Sequence, residues 1–142
     1  MYLTGTFQHN LDAKSRLTLP ASFRKQVGDT VCLVPLDDAI YGFTPESHKA
    51  WVSSFFPQGL NPRNRRDVQL HSLLMRRTVT VEVDSAGRIA LGKVSAEALQ
   101  KLGIEREVTV IGNDDHFEIW SAAAFKAMDE QIESLDDLMF DD

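Results

Sequence analysis

Leu11–Pro20 reads LDAKSRLTLP, and Val83–Gly92 reads VDSAGRIALG. Each stretch is an apolar residue, an Asp, three small or polar residues, an Arg and then an apolar–polar alternation. Setting Asp12 on Asp84 places Arg16 on Arg88, Leu17 on Ile89 and Leu19 on Leu91. Further along, the register opens by five residues. Val31 then falls on Val108, Phe43 on Trp120, Thr44 on Ser121, Lys49 on Lys126 and Ala50 on Ala127. The extra residues lie in KVSAEALQKLGIERE of the second copy. Agreement in order, residue class and spacing marks an internal duplication, over residues 5–51 and 77–128.

Each copy has the same grammar. TGTFQHNL and RLTLP flank the first Asp-x-x-x-Arg turn, and TVTVEV and RIALG flank the second. Leu17 and Leu19 alternate with Arg16 and Thr18, the period of two expected of a strand with one buried face. PASFRKQV and VSAEALQKLG predict short helices, the second with Ser95 as cap and Gly103 as stop. TVCLVPL and EVTVIG predict strands, DDA and NDDH polar turns, and IYGF and FEIW closing strands. Thr44 and Ser121 are N-cap residues for helices in PESHKAWVSSF and AAAFKAMDEQI, with Pro45 at the first helical position. Between the copies, PQGLNPRNRRDVQLHSLLMRR predicts a loop and then a helix. Asn61 would cap it, Pro62 would begin it, and Val68, Leu70, Leu73 and Leu74 would pack inward. This divides the chain into a first unit at 5–51, a helical connector at 52–76, a second unit at 77–123, and a C-terminal helix with acidic tail at 124–142.

With 142 residues, 43% apolar and 25% charged, the chain has the composition of a globular protein rather than a disordered one. No apolar run reaches the ~20 residues of a membrane span. MYLTGTFQHN lacks the pattern of an export signal, so the expected address is the cytoplasm. The single Cys32, in TVCLV, is expected to be a buried small hydrophobe. The net charge of -6 argues against a polyanionic partner until the charges are located. Residues 129–142 hold seven acids and no base, leaving 15 bases against 14 acids elsewhere. Salt confines a charge's influence to about 10 Å, so an acidic end does not forbid a basic face.

The turn is the strongest chemical candidate. A tight turn between strands needs a residue at positive φ. Gly87 supplies one; the first copy has Ser15 there, at a steric cost, so the two turns are expected to differ slightly. Asp12 and Asp84 can accept hydrogen bonds from the turn amides and fix the loop. Arg16 and Arg88 leave the turn on the next strand, where their forks suit phosphates or guanine edges. Lys14 adds a donor at the first tip. The same residues also read as salt bridges that merely close a hairpin, and the residues alone leave both readings open.

Other candidates are weaker. His9, His48, His71 and His116 share no metal-ligand spacing, so no metal site is assigned. NDDH reads as turn chemistry. With no Ser-His-Asp order, phosphate loop or Gly-rich fingerprint, no catalytic set, cofactor or small-molecule substrate is assigned. Trp51, Phe55 and Phe56 read as core or subunit contact. Arg63, Arg65, Arg66, Arg76 and Arg77 face Asp67 alone, and suit a solvated face, a belt between subunits or a phosphate track.

VDSAGRIALGKVSAEALQKLGIEREVTVIGNDDHFEIW resembles the SpoVT/AbrB swapped-hairpin DNA-binding domain, and LDAKSRLTLPASFRKQVGDTVCLVPLDDAIYGF resembles it again. The tandem pair, the D-x-K-x-R-L-x-L-P start and the Arg-rich connector together resemble the MraZ family of bacterial transcriptional regulators. The likeness spans nearly the whole chain to about residue 128. It implies an α+β fold, mainly β with short helices: a duplicated, intertwined barrel with pseudo-two-fold symmetry, an Arg-rich helical connector and a C-terminal helix. It also implies a sequence-specific DNA-binding regulator, a repressor of its own operon, the division and cell-wall gene cluster. Such a protein would bind repeated promoter sites in double-stranded DNA as a ring-like homo-oligomer, associated with the nucleoid, with no membrane partner. Position by position, the resemblance implies DNA contacts at Lys14, Arg16 and Arg88. Asp12, Asp84 and Gly87 would fix the turns, and Arg63, Arg65 and Arg66 would make secondary DNA or subunit contacts. Gly92 stands at the place of Pro20 and Ala86 at that of Lys14, so the second copy is expected to read DNA more weakly. The alternative is an antitoxin-like module holding a partner through IESLDDLMFDD, where Ile132, Leu135, Leu138, Met139 and Phe140 are spaced among acids.

Overall fold

In a computed structural model, which describes residues 1–140, the two copies interleave rather than sit side by side. Asp141 and Asp142 of the acidic tail lie outside the described residues. The first copy forms β1 (Thr6–Asn10), β2 (Arg16–Thr18), α1 (Ala21–Val27), β3 (Thr30–Pro35), β4 (Ile40–Phe43) and α2 (Pro45–Ser53). The connector is α3 (Arg65–Arg77). The second copy forms β5 (Val79–Glu82), β6 (Arg88–Ala90), α4 (Ala96–Leu102), β7 (Glu107–Asn113), β8 (His116–Ser121) and α5 (Ala122–Asp129), followed by α6 (Leu135–Met139). A 3₁₀ turn, Leu91–Lys93, takes up part of the insertion in the second copy. The caps fall as expected: Thr44 accepts from the Ser47 amide, Ser95 from Ala98 and Ser121 from Ala124.

The fold is α+β, and its strand order explains the duplication. One sheet runs β1-β7-β8-β4-β3-β5 and a small ribbon pairs β2 with β6, all antiparallel. Exchanging each strand for its counterpart in the other copy reverses the list without changing it. Leu17 and Ile89 are counterparts and also partners in the ribbon; Tyr41 and Glu118 are counterparts and also partners in the sheet. A pseudo-two-fold axis therefore passes through both pairs. Backbone amides and carbonyls need partners when buried, and here β1 finds them on β7 while β5 finds them on β3.

The ribbon lies over the sheet with Leu17 and Ile89 sealed beneath it, each 0% exposed. Around them pack Leu33, Ile40, Val110, Phe117, Ile119 and Phe23 of α1. Phe23 stands 5.3 Å from Phe7 and 5.9 Å from Phe117. Phe117 in turn needs the glycine opposite it: a Cβ on Gly42 would lie 2.3 Å from its ring. A second cluster gathers Cys32, Val34 and Phe43 with Tyr41 and Trp51, and Cys32 is buried as expected. Trp51 packs 4.8 Å from Phe43, whereas Phe55 stays exposed.

The connector departs from expectation. Its helix begins at Arg65, with Asn64 and not Asn61 as cap, since the Asn64 side chain accepts from the Asp67 amide. Asn61 instead accepts from the Arg63 amide and closes a turn over Pro62. Nor does α3 bury its apolar residues: Val68 is exposed, and Leu70, Leu73 and Leu74 are only half-buried. The helix is covered on one side alone, so part of its apolar face meets solvent.

The NDDH turn leads into a buried polar cluster beside the pseudo-axis. Glu118, 4% exposed, takes hydrogen bonds from Asn113 Nδ2 and Trp120 Nε1 and pairs with His116 Nε2, each at 3.0 Å. His116 Nδ1 meets Asp115 at 2.9 Å, and the ring stacks on Tyr41 at 4.6 Å. Burial by itself would lower the His116 pKa; the bonds to Glu118 and Asp115 outweigh it and hold the pKa above its ordinary value. Burial raises Glu118, but its three donors bring it below the usual carboxylate value. Burial and the adjacent Glu118 carboxylate push the Tyr41 phenol up.

Leu17→Ala should cost about 2–5 kcal/mol in denaturant unfolding, through lost burial and the cavity left behind. The exposed Thr18→Ala should cost under about 0.5 kcal/mol. His116, with its pKa raised above 6.5, stabilises the fold fully below that pH and loses the effect as pH rises through its folded pKa. Glu118, with its pKa lowered below 4.5, contributes above that pH and loses the effect as pH falls through its folded pKa. The gap in thermal midpoint between the native chain and His116→Gln should thus be widest from about pH 4.5 to 6.5 and narrow above it.

Candidate nucleic-acid interface

Each Asp-x-x-x-Arg segment folds around its own carboxylate. Asp12 Oδ1 accepts from the amides of Lys14 and Arg16, both at 2.9 Å, and Oδ2 accepts from Arg16 Nε at 2.7 Å. Asp84 repeats this with the amides of Ala86 and Arg88 and with Arg88 Nε, all at 2.9 Å. The backbone closures match as well: Ser15 to Asp12 at 3.0 Å, and Gly87 to Asp84 at 2.9 Å. The slight difference expected between the two turns is one of backbone angle only; the bonding pattern is the same. Ser15 is held at φ +57, in the same left-handed region as Gly87 at φ +78. The carboxylate's bonds over-determine the loop and hold Ser15 against the steric cost of that region. The amide of Arg16 chiefly, then its guanidinium, holds the Asp12 carboxyl below the ordinary value, and Arg88 does the same for Asp84.

The ribbon decides where the arginines point. Arg16 stands opposite Ala90 and Arg88 opposite Thr18, while Leu17 and Ile89 take the inner face. Residues directly opposite share a face, so Arg16 and Arg88 both occupy the outer one. They are diagonal neighbours, a relation that sets backbones roughly 7–8 Å apart. The turns are also tied to each other's strands: Leu19 N donates to Gly87 O and Leu91 N to Ser15 O, both at 2.9 Å. Two turns remote in sequence thus make one rigid edge. The Arg16 and Arg88 side chains are 29% and 33% exposed. Each is pinned through Nε, and among the described residues its terminal nitrogens have no hydrogen-bond partner. The salt bridge that closes the hairpin and the outward fork are therefore the same side chain.

Lys14 is exposed at the first tip. Arg63, Arg65 and Arg66 are exposed on the connector, and among the described residues no hydrogen bond or ion pair joins them to the ribbon. Arg65 and Arg66 sit in the first turn of α3, where cations oppose the helix dipole, so helix stability does not account for them. Sequence reasoning missed Arg24. It lies in the predicted helix after Leu19–Pro20, but only the interleaved topology brings its Nη2 to Ser85 O, at 2.6 Å, across the second turn. Among the described residues no group of three or more His, Cys, Asp or Glu could hold a metal, and no helix is long and apolar enough to cross a membrane.

Replacing Ser15 by Gly removes the left-handed penalty at the cost of a more flexible unfolded chain. It should stabilise the protein by about 0.5–1 kcal/mol in denaturant unfolding. Gly87→Ser should destabilise it.

A family model described as "MraZ protein, putative antitoxin-like" matches residues 2–65 and 74–138. The chain is 32% identical over 142 residues to a protein of Mycoplasmoides gallisepticum named "Transcriptional regulator MraZ", covering 94% of this chain and 96% of that one. A protein of the same name from Mycoplasmopsis pulmonis is 34% identical over 139 residues, covering 94% and 88%. One from Ligilactobacillus salivarius is 31% identical over 137 residues, covering 94% and 92%. The repeat, its interleaved strands and these matches over almost the full length agree, and the chain belongs to the MraZ family.

Proposed function

We propose that this chain is a sequence-specific DNA-binding regulator of transcription whose reading edge is the β2–β6 ribbon with its two turns. In this reading Arg16, Arg88 and Lys14 contact DNA, and Asp12, Asp84 and Gly87 fix the turns. It represses its own operon, the division and cell-wall gene cluster, from repeated promoter sites, as a ring-like homo-oligomer in the cytoplasm, associated with the nucleoid. The observation that carries the reading is the pair of carboxylate-locked turns that put two arginines on one outer face. An arginine already pinned through Nε loses little freedom on binding, and its terminal nitrogens suit a guanine edge or a phosphate. The regulator name borne by the relatives supports the same class.

One such edge is small and would bind weakly. Several edges on one oligomer make each later contact effectively intramolecular, so affinity comes from repetition along the DNA. Exposed Phe55, Val68 and Met75 on and near the connector support self-association, with Arg63, Arg65 and Arg66 as secondary contacts to subunit or DNA. A second reading, a partner held by the tail, draws on the family model's description and on α6 with its C-cap Phe140, where Leu135 and Phe140 are 70% and 75% exposed. Deleting residues 129–142 would abolish capture of such a partner and leave DNA binding in place.

The test is binding of the full-length protein to the DNA upstream of its own gene. Arg16→Ala should cost about 1–3 kcal/mol per engaged edge if it reads guanine. Lys14→Ala should reduce the slope of log affinity against log salt by about 0.9 per engaged edge. Unchanged affinity in both variants would refute the assignment.

A further inference from the structure

The turn carboxylates neutralise the arginines beside them, Asp12 against Arg16 at 2.7 Å and Asp84 against Arg88 at 2.9 Å. Surplus positive charge at the first turn therefore comes from Lys14, which has no carboxylate within ion-pair distance among the described residues. The second turn has Ala86 at that place. Its surplus charge arrives from the other copy. Arg24 is exposed on α1 and, among the described residues, is likewise without an ion-pair partner. Its neighbour Phe23 is 0% exposed and anchors the helix in the core. From that base the Arg24 side chain crosses the second turn and donates from Nη2 to Ser85 O.

Three departures from repeat symmetry meet at this spot. Ala86 replaces the lysine of the first turn. Gly87 replaces Ser15, and a Cβ on Gly87 would lie 2.9 Å from Arg24 Cδ and 3.0 Å from Nη1, so the glycine makes room for the arginine. The third departure is on the helices. Aligned from Gly28 and Gly103, which follow α1 and α4, Arg24 falls on Leu99, which is half-buried and packs against the core. The first turn thus has its own lysine and no arginine from α4; the second has no lysine and an arginine from α1.

We infer that Arg24 is a DNA-phosphate contact that completes the second turn, so that each turn presents one carboxylate-pinned arginine and one unpaired cation. The inference rests on the DNA-binding reading of the ribbon. It makes the two turns alike in charge, by different residues, where the sequence alone makes the second the poorer one. The bond to Ser85 O spends only one of the guanidinium's five N–H donors.

The experiment measures affinity of the full-length protein for two duplexes of equal length, one from upstream of its own gene and one of random sequence, from about 0.05 to 0.3 M salt. Arg24→Gln should weaken both complexes roughly five-fold per engaged second turn near 0.15 M salt and lower the salt slope by about 0.9. Adding Ala86→Lys to Arg24→Gln should restore the slope, because it returns a cation by the first turn's route. Arg24→Lys keeps the charge without the fork and should retain the slope, which also covers the case where Arg24→Gln loosens the turn. An unchanged slope in Arg24→Gln overturns the inference, whether or not affinity falls, since a mere strut would not alter counterion release. A slope lost in Arg24→Lys overturns it too. If Arg16→Ala and Lys14→Ala are also without effect, the DNA-binding reading itself has failed; if they weaken binding while Arg24→Gln does not, only the role of Arg24 is wrong.

Discussion

Strand pairing between the two copies is the constraint on which the rest of the molecule depends. Each copy supplies outer strands whose hydrogen-bonding groups are satisfied only by the other: β1 on β7, β5 on β3, and β2 on β6. A buried backbone group without a partner is expensive, so the copies are committed to each other before any side chain is considered. Packing then reinforces the same choice. Leu17 and Ile89 face each other on the pseudo-axis, and the core they seal draws on both copies.

That arrangement is what turns two short motifs into one edge. An isolated Asp-x-x-x-Arg hairpin would be a salt-bridged corner of no evident direction. Joined through the ribbon, with the carbonyls of Gly87 and Ser15 accepting from Leu19 and Leu91, the corners hold a fixed spacing and a common face. Rigidity here comes from carboxylates that each satisfy two amides and a guanidinium. The same bonds stabilise a serine in a backbone region that suits glycine. Local strain is tolerated because the surrounding bonds leave it no alternative.

The symmetry is broken where chemistry differs. At the sheet's axial pair, Tyr41 faces Glu118, and the acid gathers His116, Asn113 and Trp120 around it. At the turns, Lys14 belongs to the first copy and Arg24 reaches from that copy to the second. Duplication supplied the scaffold, and divergence at a few positions gave its halves separate polar surroundings.

By itself the sequence determined the duplication, the period-two strands, most of the helix caps and the form of the turn. These depend on residues close in the chain, so spacing and residue type suffice: Asp12 reaches Arg16, and Thr44 reaches Ser47, without help from elsewhere. The connector cap was misread because Asn61 and Asn64 both suit a helix start and only the path of the chain chooses between them. Tertiary structure alone decided that Arg16 and Arg88 share a face, that Arg24 crosses to Ser85 and that Glu118 lies buried opposite Tyr41. The physical reason is common to all three. Each depends on which strand lies beside which, and that is settled by pairing and burial between residues dozens of positions apart, which no local pattern records.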